Sequence, residues 1–259
     1  MSSLVAVSID DAVATVTLHN PTKMGALSVA AMQQLTDAFT EIGARDDIHV
    51  VVLASEGKVF SAGHDLGEVR GASETKQREI FATCSDLMLT VQRIPQPVIA
   101  KVHGLATAAG CQLVATCDLA VAGQSARFAT PGVRIGLFCS TPMVALSRAV
   151  PQKVAMRMLL TGDPITADQA AAYGLVSDVV ADETLDDAVA ALASRVAHAS
   201  AATVSIGKQA FYEQLTLSTK DAYTKMSEVM TQNALMADAQ EGIEAFLEKR
   251  EPVWQHRTQ

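Results

Sequence analysis

The run Val50-Val51-Val52-Leu53 constrains the fold more than any other stretch of this chain. Four consecutive apolar residues without polar alternation read as a strand covered on both faces. Such a strand needs helices on either side of its sheet, and the neighbouring sequence supplies them. From Val29, the residues Val29, Met32, Leu35, Phe39 and Ile42 recur at steps of three and four, which is one stripe of a helix. A second helix is predicted over 76–93, after which Pro95 and Pro97 forbid helix and lead into a strand over 98–102. A helix-like stretch is expected after Gly104, and 119–122 returns as strand. This alternation predicts an α/β layer with parallel pairing. Ahead of it, 4–9 and 13–18 alternate around Asp10-Asp11 and read as a hairpin.

Beyond about Thr141 the pattern predicts helix after helix, with a capping box in Thr166 to Gln169 and a stop at Gly174. Four further helices are expected over 182–197, 201–215, 222–236 and 239–250. No linker, low-complexity tract or internal repeat separates them, so 259 residues read as one α/β body with a helical tail. A hydrophobic share of 49% against 19% charged excludes disorder. No apolar run approaches the roughly 18 residues that cross a bilayer. The segment 1–10 lacks the pattern of a secretory or transit leader. The expectation is therefore a cytoplasmic chain without a membrane partner. Cys84, Cys111, Cys117 and Cys139 form no C-x-x-C pair and read as packing thiols, so neither disulfide nor metal is expected. The net charge of −8 weighs against a nucleic-acid partner, which leaves a basic stripe.

Two segments place small residues where a strand passes into a helix or turn: Phe60-Ser61-Ala62-Gly63-His64-Asp65-Leu66 and the stretch from His103-Gly104 through Ala108-Ala109-Gly110-Cys111. Small side chains let a ligand approach the backbone, and the free N–H groups of a first helical turn donate to negative oxygen. Each segment alone reads first as tight packing at a junction. If both supply an N–H at one point, a thioester carbonyl could become an enolate or tetrahedral oxyanion there.

Together, these segments resemble the crotonase family, the enoyl-CoA hydratase/isomerase superfamily, and the likeness runs nearly end to end. Its further carriers are Asn20-Pro21 with Ala26-Leu27, the block from Gln96 to Gly104, Cys117-Asp118-Leu119, Phe128-Ala129-Thr130-Pro131, Ile135-Gly136-Leu137, Leu160-Thr161-Gly162 and Ala245 to Arg250. The resemblance implies a spiral of repeated ββα units over 1–195 and a C-terminal helical region over 196–259 that builds a homotrimer or a dimer of trimers. It also implies an acyl-CoA thioester substrate, with coenzyme A entering only as part of that substrate and no separate cofactor. The implied oxyanion donors are the backbone N–H groups of His64 and Ala109. Ala62, His64, Asp65 and Leu66 resemble the adenine and pantetheine path, Lys23 and Met24 its opposite wall, and Phe246 and Lys249 the tail residues that reach coenzyme A from a neighbouring subunit. Lys249 reads equally as a solvated helix end.

The chain departs from the hydratases of this family at the two glutamates that move protons, where it carries Gln112 and Gly132, neither of which exchanges a proton near neutral pH. The resemblance therefore implies a type of enoyl-CoA hydratase domain without either catalytic glutamate. The turn Gly136 to Pro142, where related members hold another acid, has no carboxylate. Cys139 and Ser140 could be nucleophiles but need a base beside them; Cys139 reads first as a packing residue. His64 is the remaining titratable group of the motif, with its side chain either moving a proton or facing away. Asp65 reads first as a helix cap and Asp118 as a structural carboxylate. Two functions stay open: an enoyl-CoA hydratase-like lyase, isomerase, thioester hydrolase or decarboxylase of fatty acid metabolism, or an impaired acyl-CoA-binding or regulatory protein. Restoring Gln112→Glu with Gly132→Glu is expected to separate them.

Overall fold

The computed structural model describes residues 3–256. The chain opens with the expected hairpin, β1 (Val5–Asp10) and β2 (Val13–Leu18), turning at Asp11 with φ +51°. Helix α1 (Val29–Gly43) follows, capped by the Ser28 hydroxyl, which accepts from the Ala31 N–H, and all five residues of its predicted stripe are buried. Next come β3 (Val50–Ser55), buried at every position, the short α2 (Leu66–Val69) and α3 (Glu74–Arg93).

From here the chain repeats one unit: a strand in a large sheet, a strand in a small sheet, then a helix. The first full unit is β4 (Val98–Val102), β5 (Leu105–Thr107) and α4 (Ala109–Thr116). The second is β6 (Leu119–Gly123), β7 (Arg127–Ala129), a single 3-10 turn over Pro131–Ile135, and α5 (Ser140–Ala149). The earlier segment follows the same plan, since after β3 Ser61 bridges Ala106 in parallel before α2 and α3. Then come α6 (Gln152–Thr161), β8 (Ile165–Thr166), α7 (Ala167–Tyr173), β9 (Asp178–Val180) and α8 (Leu185–Ala197). The chain finishes with α9 (Ala201–Gln214), α10 (Thr219–Ala234) and α11 (Ala237–Glu248).

The large sheet has the order β1-β2-β3-β4-β6-β9, parallel except for the β1–β2 hairpin, and the small sheet has the order β5-β7-β8. One face of the large sheet carries Val51, Leu53, Val98 and Ala100 into a core shared with α1 and α3; the other carries Val50, Val52, Ile99 and Val121 against Leu185, Val189 and Ala193 of α8. The unbroken Val50–Leu53 run thus faces apolar layers on both sides.

Two expectations are corrected. Helix does not begin directly after Gly104, because Leu105–Thr107 first pairs with β7 and α4 starts only at Ala109. The region beyond Thr141 is not purely helical, because β8 pairs antiparallel with β7 and β9 parallel with β6. The capping box at Thr166–Gln169 and the left-handed stop at Gly174 are both present. Among the described residues no single helix is long and apolar enough to cross a membrane.

Candidate active site

In each repeat the passage from small-sheet strand to helix falls at the same end of the spiral, so the junctions at 61–65, 107–110 and 130–132 stand side by side. They line one cavity of about 480 Å³, whose walls include Ala62, His64, Thr107, Ala109, Gly132 and Cys139. The rest of its lining is largely apolar, from Leu66 and Phe81 to Ile135, Leu137, Phe138 and Pro142. A larger groove of about 1060 Å³ lies elsewhere, between the β1–β2 hairpin, α8 and the C-terminal segment, and contains none of these residues.

The first junction is held by Leu27, whose N–H donates to the Gly63 carbonyl (2.8 Å) and whose carbonyl accepts from the Asp65 N–H (3.3 Å). In an extended segment successive amides point to opposite sides, so the N–H of His64 is turned away from Leu27. At the second junction Ala109 is the first residue of α4, and its N–H is one of the donors a helix cannot satisfy internally. Neither amide donates to an acceptor among the described residues. The junctions touch: a Cβ placed on Gly63 would lie 3.1 Å from the Ala109 nitrogen and 2.9 Å from both the Thr107 carbonyl oxygen and the Ala108 Cβ. Gly63 has φ +86°, so contact and backbone both require glycine there. Ala108 sits at φ +51°, ψ −118°, a strained conformation for a residue with a side chain, immediately before the free amide.

The expected opposite wall adjoins the first junction. Lys23 Nζ lies 2.7 Å from Asp65 Oδ2, and the Met24 carbonyl accepts from the Ala62 N–H (2.9 Å). The hydrogen bond and charge of Asp65 raise the Lys23 pKa, while those of Lys23 hold the Asp65 carboxyl below the usual carboxylate range. Asp65 also caps α2, its Oδ1 accepting from the Gly67 N–H (2.9 Å), as its sequence position suggested.

Gln112 is buried on α4 but does not line the cavity; its Oε1 takes the Cys84 thiol at 3.8 Å. Gly132 has no room for a side chain, since a Cβ there would lie 2.0 Å from the Leu137 carbonyl oxygen and 2.8 Å from Cys139 Sγ. The Leu137 N–H closes this turn by donating to the Gly132 carbonyl (2.9 Å). The expected double restoration to glutamate is therefore corrected: position 132 cannot receive a side chain until the 132–139 turn moves. Burial raises the Cys139 thiol pKa, and no histidine, lysine or carboxylate bonds to it among the described residues, so it and Ser140 lack the base a nucleophile needs. Burial pushes Cys111 up to about 12.

Phe246 and Lys249 do not reach this cavity within one chain: Phe246 is 82% exposed on α11 and Lys249 ends that helix at φ +59°. Asp118 is structural, accepting from the Val98 N–H (2.7 Å) and the Tyr212 hydroxyl (2.8 Å) and pairing with the buried Lys208 (2.8 Å). The sequence reading missed Phe81, Arg134 and Thr107 as lining residues. Thr107 stood inside a segment already singled out, whereas Phe81 and Arg134 arrive from α3 and the 3-10 turn with no local signal.

Residues 8–257 match the enoyl-CoA hydratase/isomerase family. The chain belongs to that family. It is 47% identical over 247 residues to rat (Rattus norvegicus) enoyl-CoA hydratase domain-containing protein 3, mitochondrial, covering 95% of this chain and 82% of the rat protein. It is 35% identical to the 2,3-dehydroadipyl-CoA hydratase of Escherichia coli K12, covering 99% of this chain and all of that protein. Among solved structures, an enoyl-CoA hydratase from Mycobacterium smegmatis superposes with a TM-score of 0.96 at 47% identity, over 98% of this chain and 99% of that one. The human enoyl-CoA hydratase domain-containing protein 3 gives 0.95 at 46% identity, over 97% and 100%. The ββα spiral of this chain is thus the crotonase fold.

Proposed function

We propose that the protein is an enoyl-CoA hydratase-like enzyme of acyl-CoA thioesters, holding the thioester oxygen as an enolate or tetrahedral oxyanion between the amides of His64 and Ala109. The observation that carries the reading is the pair of free amides at touching junctions beside one apolar cavity. Donors already aimed at a developing negative charge need no reorganisation, and one such donor contributes about 3 kcal/mol to lowering a barrier. Ala62, Leu66, Lys23 and Met24 take the adenine and pantetheine side in this reading, and no cofactor beyond the substrate's own coenzyme A is required. Phe246 and Lys249 serve a neighbouring subunit of a homotrimer or dimer of trimers, with the region beyond about residue 196 as the oligomerisation part.

Hydration is the member of this reaction class least supported by the side chains, because neither Gln112 nor Gly132 can carry a proton. That same observation favours a second reading, an acyl-CoA-binding protein without turnover. Ala109→Val tests the first: the branched side chain at a fully buried position displaces the amide. Turnover across enoyl, dienoyl, malonyl-type and hydroxyacyl thioesters should fall by about 100-fold on the loss of one donor. If the unaltered protein binds these thioesters but turns over none, the second reading stands and the first fails.

A further inference from the structure

Resting on that reading of the cavity, we propose that the His64 imidazole is the base that moves a proton at the α-carbon of the bound thioester. The ring belongs to the same residue as one of the free amides, and that residue lines the cavity. Its Nδ1 and Nε2 are both buried and bond to nothing among the described residues, and its recorded ring contact is edge-to-face with Phe81 (centroids 5.5 Å, 84°). A buried polar group left without a partner costs about 1–3 kcal/mol, and native structures keep few of them without a reason. Thr107, another residue of the cavity lining, carries a second such atom in its Oγ1.

Elimination among the lining residues leads to the same group. Arg134 is committed to Asp163 and the Thr161 carbonyl and, as a guanidinium, accepts no proton. Cys139 keeps its proton because burial raises its thiol pKa. No carboxylate lines the cavity among the described residues: Glu68 lies behind, accepting from the Val29 N–H (2.9 Å), and Asp65 is paired with Lys23. Burial lowers the His64 pKa, against smaller opposing effects of the Leu27 carbonyl and the Glu68 charge, so the ring is neutral and able to accept near neutral pH. In the step the Cα–H bond breaks and its electron pair moves into the enolate, whose charge rests on the oxygen held by the two amides. The proton goes to the imidazole nitrogen. Return of a proton from the imidazolium to the carbon chain restores the base, with no oxidant, reductant or co-reactant.

The test follows exchange, not net reaction. Butanoyl-CoA is incubated with the protein in D₂O, deuterium at Cα is read by NMR, and binding of the thioester is measured separately. The unaltered protein should label Cα, with a rate that rises with pH below the ordinary imidazole value of about 6.5 and is level above it. His64→Gln keeps the amide and removes the base, and should lower exchange by about 100-fold or more while binding stays within a few-fold. His64→Ala with added imidazole should recover part of the rate. Undiminished exchange in His64→Gln, or bound thioester that never exchanges in the unaltered protein, overturns the base assignment and leaves the oxyanion reading in place. If butanoyl-CoA does not bind at all, the thioester reading fails and this inference fails with it.

Discussion

At Gly132 a single residue type is enforced by a neighbour's main chain and not by torsion. The carbonyl of Leu137 occupies the space a Cβ needs, and backbone atoms yield less readily than the end of a side chain. Gly132→Glu is expected to destabilise the fold by about 3 kcal/mol, the upper part of the overpacking range. That should appear as a urea midpoint well below that of the unaltered protein. An unchanged midpoint would show that the turn gives way freely. The residue scale is also where the sequence was most and least readable. The proposed donors His64 and Ala109 could be named from the sequence because a main-chain amide is placed by its position within a motif. The closure over Gly132 was not, because it depends on the left-handed Gly136 (φ +75°) folding Leu137 back, and nothing in the composition of 132–139 records that path.

At the scale of elements, the stripe of α1 and the buried run of β3 were legible because each repeats a periodicity over enough residues to stand out. Strands β5, β7, β8 and β9 span two or three residues each, too short to show alternation, and exist because longer strands beside them offer partners. Helix α9 is fixed by charge: Lys208 Nζ, 5% exposed, donates to the Val91 and Gln96 carbonyls (both 2.8 Å) and pairs with Asp118. Lys208→Ala leaves Asp118 without its cation and both carbonyls unmet, and should lower unfolding free energy by about 3–5 kcal/mol in denaturant titration.

The segment after α11 is fixed by hydrogen bonds instead. Trp254 Nε1 donates to the His198 carbonyl (2.8 Å), the N–H groups of Gln255 and His256 donate to Asp238, and His256 Nδ1 accepts from the Ala201 N–H (3.2 Å). Burial, then His49 stacked at 4.2 Å, lower the His256 pKa, with Asp238 opposing. Because the folded state binds this proton less readily than the unfolded chain, the contribution is complete above about pH 6.5. It is lost as pH falls from there through the folded value. Trp254 is the only tryptophan, so its emission should shift over that window, and His256→Asn should flatten the change.

For the whole molecule, the large apolar side chains left in water concentrate in the last helices: Tyr223, Leu235, Phe246 and Leu247 are each 74% exposed or more. Large apolar side chains exposed to this degree are candidates for burial on association. Sedimentation should give three or six times 27.3 kDa, and Leu247→Asp with Leu235→Asp should yield smaller species; a monomer at micromolar concentration would sink the trimer proposal. The two sheets are threaded together, since β5, β7 and β8 fall in sequence between strands of the larger sheet. A ribosome delivering this chain cannot hand over half a fold. The far rim, β9, is supplied only by residues 178–180, so until that segment has been synthesised the β6 edge stays bare and in need of shelter.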